Sequence, residues 1–159
     1  MVRKGLAVIG LVLGFAAPAD AAERLALFPF DLVNTSMEPT RPDEEARLAR
    51  LDAQAKERLA AAGYELIDTA PVAKEAAARA PLKDCNACDL DLARRLGAEL
   101  AATGWVQKVS NLILNINLQI RNVATGQLVK AGSVDIRGNT DESWRRGINY
   151  LLDRRILAK

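Results

Sequence analysis

The sequence contains no histidine, and this absence removes several kinds of chemistry at once. Histidine is the commonest general base and the commonest metal ligand among side chains. Nucleophile pairs of the Ser-His and Cys-His kinds are excluded, because both need an imidazole to take up the proton. The sequence therefore predicts no catalytic residues and no cofactor, and we interpret the protein as one without enzymatic activity.

Cysteine is scarce: the two that occur, Cys85 and Cys88, lie in the stretch KDCNACDLDL. A structural zinc ion needs about four ligands, and two cysteines without histidine do not supply them, so no metal site is predicted. A thiol-disulfide redox pair is the alternative, because a following helix stabilises a thiolate. Asp84 and Asp89 flank the pair and disfavour the thiolate, so a structural disulfide is the favoured interpretation.

Long apolar runs are also missing, since spanning a bilayer takes roughly 20 residues and the apolar stretch near the N-terminus is shorter. Arg3 and Lys4 precede that stretch, and small residues end it at Ala21. This pattern predicts a signal peptide at residues 1–21, cleaved after Ala21. The expected product is an exported, periplasmic protein with a single α/β domain of residues 22–159, which does not span the membrane after cleavage.

Neither positive nor negative charge dominates the chain, which carries 22 basic and 20 acidic residues. Nothing in this balance favours nucleic acid as a partner. Aromatic residues make up only 4% of the sequence, so Trp105 and Trp144 are expected to pack in the core. Self-association into a homo-oligomer is an option for such a chain.

Hydrophobic periodicity predicts a strand-helix order of β-α-β-α-α-β-β-β-α. The first strand is LALFPFDLV, with a bulge or an edge expected at Pro29. Strands that helices separate should be parallel, and the last three, which short turns join, should be antiparallel. We therefore predict a single mixed sheet with the apolar helix stripes on one face and part of the other face exposed.

The clearest pattern is LILNINLQIR, in which apolar and polar residues alternate with the period of a strand. Asn115, Asn117, Gln119 and Arg121 point to one side, and this row is either a solvated sheet face or an interaction face. A small-ligand binder that uses this row, or a pocket near Trp105, is an alternative function.

The stretch from Asp135 to Gly147 is dense in hydrogen-bonding groups. Asp135, Asp141 and Glu142 are candidates for paired carboxylates in acid-base work, although pairing with nearby arginines is the favoured interpretation. Asn139 and Glu142, three residues apart, are expected to cap the last helix from both sides.

Four segments carry a resemblance to known proteins: LALFPFDLV, LARRLGAELAATGWVQKVSN, VATGQLVKAGSVDIRG and NTDESWRRGINYLL. Together they resemble a family of secreted bacterial proteins of unknown function. More distantly, the chain is similar to the amino-terminal domain of TolB and to CsgG-like and LpoB-like periplasmic domains. The resemblance implies a mixed α/β domain that binds other envelope proteins without catalysis. It also suggests an association with periplasmic quinoprotein dehydrogenases.

Overall fold

The computed structural model of the chain describes residues 22–158, and the predicted signal peptide with its cleavage site lies outside them. Within this range six strands and four α-helices follow one another: β1 (Arg24–Leu27), β2 (Asp31–Asn34), α1 (Pro42–Ala61), β3 (Glu65–Leu66), α2 (Ala73–Ala78), α3 (Cys88–Arg95), β4 (Leu100–Lys108), β5 (Ile113–Asn122), β6 (Leu128–Arg137) and α4 (Asp141–Leu151). Short 3-10 turns at Ala70–Val72 and Leu82–Asp84 flank α2, and a π-helical turn, Leu152–Ile156, extends α4. No helix of the described chain is long and apolar enough to cross a bilayer.

The strands form one mixed sheet in the order β3-β1-β4-β5-β6. β2 pairs with the same edge of β4 as β1, further along that strand. β1 runs parallel to β3 and to β4, while β4, β5 and β6 form an antiparallel meander. Short turns suffice for the antiparallel pairs, whereas each parallel crossover needs a long connection, which here contains helices. The predicted mixed sheet, with its parallel and antiparallel halves, is confirmed.

The predicted first strand is divided in two around Pro29. β1 and β2 pair in parallel with successive parts of the same edge of β4. Pro29 has no N–H to give to the ladder. The next N–H, that of Phe30, donates instead to Asp52 Oδ1 of α1 at 2.8 Å. The irregularity expected at Pro29 is thus a break in the strand that α1 covers.

Gly104 of β4 makes room for the aromatic ring at this break. A Cβ atom at Gly104 would lie 2.2 Å from Cε1 of Phe30, which is far inside van der Waals contact. The Phe30 side chain is 3% exposed and belongs to the core below α1. The ring therefore packs flat against the backbone of β4, where any other residue type would displace it.

The two faces of the sheet carry separate apolar clusters. The larger lies between the sheet and α1 and α4, and its β5 members are Leu114, Ile116, Leu118 and Ile120. The smaller lies on the other face below α2 and α3, and it includes Phe28 of the β1–β2 break. We expected all helices on one face, and this is wrong for α2 and α3. The physical reason is that the parallel part of the sheet is apolar on both faces and needs cover on both.

The cap predicted for the last helix is also corrected. The hydroxyl Oγ1 of Thr140, not Asn139, accepts the N–H of Ser143 at 3.2 Å. The Glu142 carboxylate points to Arg145 and Arg146 on its own helix. A hydroxyl at the residue directly before the helix satisfies an otherwise free N–H group, and this leaves the Asn139 side chain available to the interior.

Candidate interaction surface

Half of the α2/α3 side of the sheet has no helix above it. We call this half the open face and define it by three side chains of β5, Asn115, Asn117 and Gln119, and three of β6, Ala131, Ser133 and Asp135. The three β6 residues are exposed, Asn115 and Gln119 are half-buried, and Asn117 is 9% exposed because its neighbours surround it. Strand pairing places Asn115 opposite Asp135 and Asn117 opposite Ser133, so the six side chains form one continuous surface.

The amides of the open face are hydrogen-bonded to one another. Asn117 Nδ2 donates to Asn115 Oδ1, and Asn115 Nδ2 donates to Ser133 Oγ and to Asp135 Oδ1, both at 2.8 Å. Gln119 Nε2 donates to Thr103 Oγ1 of β4 at 2.8 Å. These hydrogen bonds hold the side chains in fixed positions. Each amide nitrogen donates within the ladder, whereas the side-chain oxygens of Asn117 and Gln119 accept no hydrogen bond in the described chain and are free as acceptors.

Arg121, the fourth residue of the predicted row, is set apart from the other three. Its guanidinium lies 3.2 Å from Oδ1 of Asp89 in α3, a carboxylate whose residue is 1% exposed. Its Nε also donates to the carbonyl of Gly126 at 3.3 Å. The structure therefore brings Asn115, Asn117 and Gln119 together, whereas Arg121 ties α3 to the sheet at the border of the open face.

Residues 82–88, which we call the cysteine loop, lie on the same side of the sheet, against Asp31 of β2 and Trp105 of β4. The N–H of Leu82 donates to Asp31 Oδ2 at 2.9 Å, which fixes the loop on β2. Lys83 Nζ lies 5.8 Å from the ring centre of Trp105, within cation–π range. Trp105 is half-buried on the α2/α3 side of β4, so our expectation of core packing is wrong for it. Trp144 is buried as expected, at 2% exposure.

Cys85 and Cys88 lie at disulfide distance, with sulfur atoms 1.97 Å apart. Cys88 begins α3 and is 6% exposed, so one sulfur is shielded from an attacking thiol. The two residues between them, Asn86 and Ala87, have positive φ angles, which the tight loop requires. Within residues 22–158 no group of three or more Cys, Asp or Glu residues is arranged to hold a metal ion. The redox alternative stays a prediction.

The three carboxylates considered for acid-base work are engaged by different partners. Asp141 lies 2.7 Å from Arg47 Nε and 2.9 Å from Arg50, and the hydrogen bond from Arg47 lowers the pKa of Asp141. The pKa of Glu142 is likewise lowered, first by its hydrogen bond from Arg145. Asp135 lies on the open face with Asn115. Asp141 and Glu142 are held ionised by their arginine partners, which does not suit proton transfer.

A buried polar cluster at the end of β4 was not foreseen. Lys108 and Glu44 are each 0% exposed, Asn139 is 9% exposed, and Lys108 Nζ lies 2.6 Å from Glu44 Oε1. One signal was present in the sequence: with a period of two, Lys108 falls on the same face of β4 as Val106, which is apolar. A lysine at that register points into the core and needs a buried partner.

Comparison with known proteins gives a family and a fold. The family model DUF3280, described as "Protein of unknown function (DUF2380)", matches residues 23–156. No curated protein matches the sequence. The predicted resemblance to a family of unknown function is confirmed.

Several solved structures share the fold at low sequence identity. The PelC dodecamer from Paraburkholderia phytofirmans has 15% identity and a TM-score of 0.52, over 86% of this chain and 89% of that chain. Lipoprotein GNA1162 from Neisseria meningitidis has 18% identity and a TM-score of 0.50, over 74% and 82%. LpoB from Escherichia coli has 12% identity and a TM-score of 0.50, over 87% and 81%. These identities support a common fold and nothing further.

The remaining parts of the resemblance differ in outcome. The similarity to LpoB-like domains is confirmed by the shared fold. TolB from Acinetobacter baumannii has a TM-score of only 0.37, and the match covers 25% of that chain, so the similarity to TolB is weak. The CsgG-like part stays a prediction.

Proposed function

This chain belongs to the DUF3280 family of proteins of unknown function, and we propose that it is a non-catalytic periplasmic accessory protein. In this proposal it binds a protein partner of the cell envelope through the open face. The LpoB-like fold supports a binding role, and the surface carboxylates considered for acid-base work are each engaged by an arginine or an amide. The N-terminal sequence pattern supports export.

The main support for the proposal is that part of the α2/α3 side of the sheet is covered by helices and the rest is not. The cysteine loop, α2 and α3 protect the β1–β4 part, while the β5–β6 part has no helix above it. A sheet face that no helix covers does not by itself indicate a binding site if its side chains are freely solvated. Here the amides are locked in a ladder on two rigid strands, which is the preorganisation that protein recognition requires.

The free oxygen acceptors of the open face indicate that a complementary partner surface carries hydrogen-bond donors. Asp135 supplies a carboxylate, and Asn117 and Gln119 supply amide oxygens that accept no hydrogen bond within the described part of the chain. A partner segment with lysine, arginine or free N–H donors satisfies these oxygens. Neither the family nor the structural neighbours link the chain to a quinoprotein dehydrogenase, so that association stays a prediction.

Self-association is a second part of the proposal, and β6 favours it. This edge strand has 10 residues and pairs within the described chain only with β5. Long free edges tend to recruit further strands. One structural neighbour, PelC, forms a dodecamer. Light scattering of the purified protein at several concentrations tests self-association, and a monomer at every concentration would contradict it.

Site-specific photo-cross-linking in intact cells tests the partner. A photoreactive residue at Gln119 is expected to trap one envelope protein, while the same residue at Glu57, which is exposed on α1 on the opposite side, is expected to trap none. Replacing Asp135 with Lys in the Gln119 probe strain is expected to abolish the adduct by charge reversal. Equal adducts from both positions, or none from Gln119, would overturn the proposal.

A further inference from the structure

The buried cluster at the end of β4 joins four parts of the molecule. Lys108 ends β4, Glu44 lies in the first turn of α1, Asn139 lies between β6 and α4, and Trp144 belongs to α4. All four side chains are buried, at 0%, 0%, 9% and 2% exposure respectively. A buried lysine-glutamate pair of this kind is rarely the most stable solution, because desolvating two charges costs about as much as their attraction returns.

Lys108 and Asn139 meet at the same carboxylate oxygen of Glu44. The Glu44 carboxylate touches both nitrogens: Oε1 lies 2.6 Å from Lys108 Nζ and accepts a hydrogen bond from Asn139 Nδ2. Lys108 Nζ has no well-aligned hydrogen bond in the described chain, so its orientation is not fixed by another group. One carboxylate thus stands between an amine and the amide nitrogen that would leave.

The carbonyl of the Asn139 amide is polarised from its other side. Oδ1 accepts a hydrogen bond from Trp144 Nε1 at 2.9 Å and another from Arg47 at 3.2 Å. Two donors on a carbonyl oxygen, one of them cationic, stabilise the negative charge that builds up when a nucleophile attacks the carbon. The Asn139 amide therefore has a carboxylate at its nitrogen and two donors at its oxygen, and that carboxylate also contacts the Lys108 amine.

We propose that Lys108 and Asn139 form an intramolecular isopeptide bond, with Glu44 carrying the proton. Lys108 gives a proton to Glu44, and its neutral Nζ attacks Cγ of Asn139 to form the C–N bond. The Cγ–Nδ2 bond breaks as Glu44 returns that proton to Nδ2, which leaves as ammonia. Glu44 then takes the surplus proton from Nζ and passes it to the ammonia, which departs as ammonium. The balance is one ammonium side chain and one primary amide giving one secondary amide and one ammonium ion. No oxidant, metal or cofactor takes part.

Glu44 is suited to this role because it is held ionised at the start. Burial raises its pKa, but the adjacent Lys108 ammonium and the hydrogen bonds from the Arg41 N–H and Asn139 outweigh burial, and the pKa stays below its ordinary value. Burial also limits the side reaction, since little water reaches the amide. The product ties the end of β4 to the β6–α4 connection, across the end of the meander.

Intact mass spectrometry of the reduced protein tests the proposal. The wild-type chain is expected to be lighter than its sequence mass by one ammonia. Trypsin is expected to yield one branched species, in which residues 96–121, uncut at Lys108, are joined to residues 138–145. Full sequence mass in folded protein, with the two peptides separate and cleavage at Lys108, would overturn the proposal.

Two variants and a control distinguish isopeptide formation from other reactions that release ammonia. A succinimide at Asn139 has the same mass but needs no lysine, so Lys108→Arg is expected to restore the full mass only if the isopeptide bond is real. Glu44→Gln is expected to remain unlinked, and complete linkage in this variant would exclude Glu44 as proton carrier. Lys130→Arg, whose lysine bonds only the Ile156 carbonyl, is expected to keep the loss of ammonia.

Discussion

On the side of the sheet that faces α1 and α4, β5 presents four buried aliphatic side chains, each at most 1% exposed. On its other side the same strand presents Asn115, Asn117 and Gln119 as a hydrogen-bonded row on the surface. The two sides differ because helices cover the first along its whole width and the second only over β1 to β4. One strand therefore supplies both the stability of the fold and the surface that we propose for recognition.

The largest expected effect comes from a matched pair on β5. Replacing Leu118 with Ala removes a side chain that is 1% exposed and should lower the free energy of unfolding by about 2–5 kcal/mol. Replacing the adjacent Asn117 with Ala removes one side-chain hydrogen bond and should cost about 1 kcal/mol or less. Urea unfolding followed by circular dichroism measures both, and equal losses would remove the contrast between the faces.

Gly104 tests how tightly the covered side is packed. Gly104→Ala places a methyl group 2.2 Å from the Phe30 ring, and the strain should cost about 3 kcal/mol. The double variant with Phe30→Leu checks the cause, because removing the ring should make the two losses less than additive. Strict additivity in thermal unfolding would show that the ring is not what Gly104 accommodates.

The cysteine loop on the partly covered side should contribute less. Cys85→Ser opens a loop of a few residues and should cost roughly 2 kcal/mol, because short loops constrain the unfolded chain only modestly. Reduced wild-type protein is the matched comparison and should unfold at the same urea concentration. A reduction potential below about −300 mV indicates a structural bond, and a markedly higher value would favour the redox alternative.

Asp52 gives the smallest effect, a dependence on pH. Burial raises the pKa of Asp52 to about 6 from an ordinary value of 3.8, although the Phe30 N–H lowers it. Between these values the folded state binds more protons than the unfolded state, so this group makes stability fall as pH rises from about 4 to about 6.

Asp52→Asn should remove that slope and stabilise the protein by about 1–2 kcal/mol above pH 6, since the amide oxygen still accepts the Phe30 N–H. Urea unfolding at a series of pH values gives the difference curve between variant and wild type. Glu57→Gln, an exposed change on the same helix, serves as control. A difference curve that is flat from pH 4 to 7 would contradict the elevated pKa.

Local patterns were sufficient for most of the fold. The period-two alternation of β5 predicted both its faces, and Pro29 predicted an irregularity in the first strand, although as a bulge or an edge and not as the break that divides it. The placement of α2 and α3 was missed, because whether a strand is apolar on one face or both is hard to read in the short segment RLAL. The cap on α4 was missed because Asn139 and Thr140 are both good cap residues, and only the burial of Asn139 decides between them.

The candidate sites were predicted less completely than the fold. The row of amides was recognised, but Arg121 was grouped with it, since a linear pattern does not show that Asp89 lies 3.2 Å from its guanidinium. The cluster of Lys108, Glu44 and Asn139 combines residues up to 95 positions apart. No local motif links them.

The sequence by itself determined the mixed sheet, the missing imidazole chemistry and the alternation that divides β5 into an apolar and a polar side. These follow from neighbours along the chain, since backbone geometry and side-chain type act over a few residues. Only the tertiary structure decided which polar side chains are buried together and which part of the sheet stays uncovered. Those outcomes depend on helix packing over long sequence distances, where burial and partner geometry set the energy of each polar group.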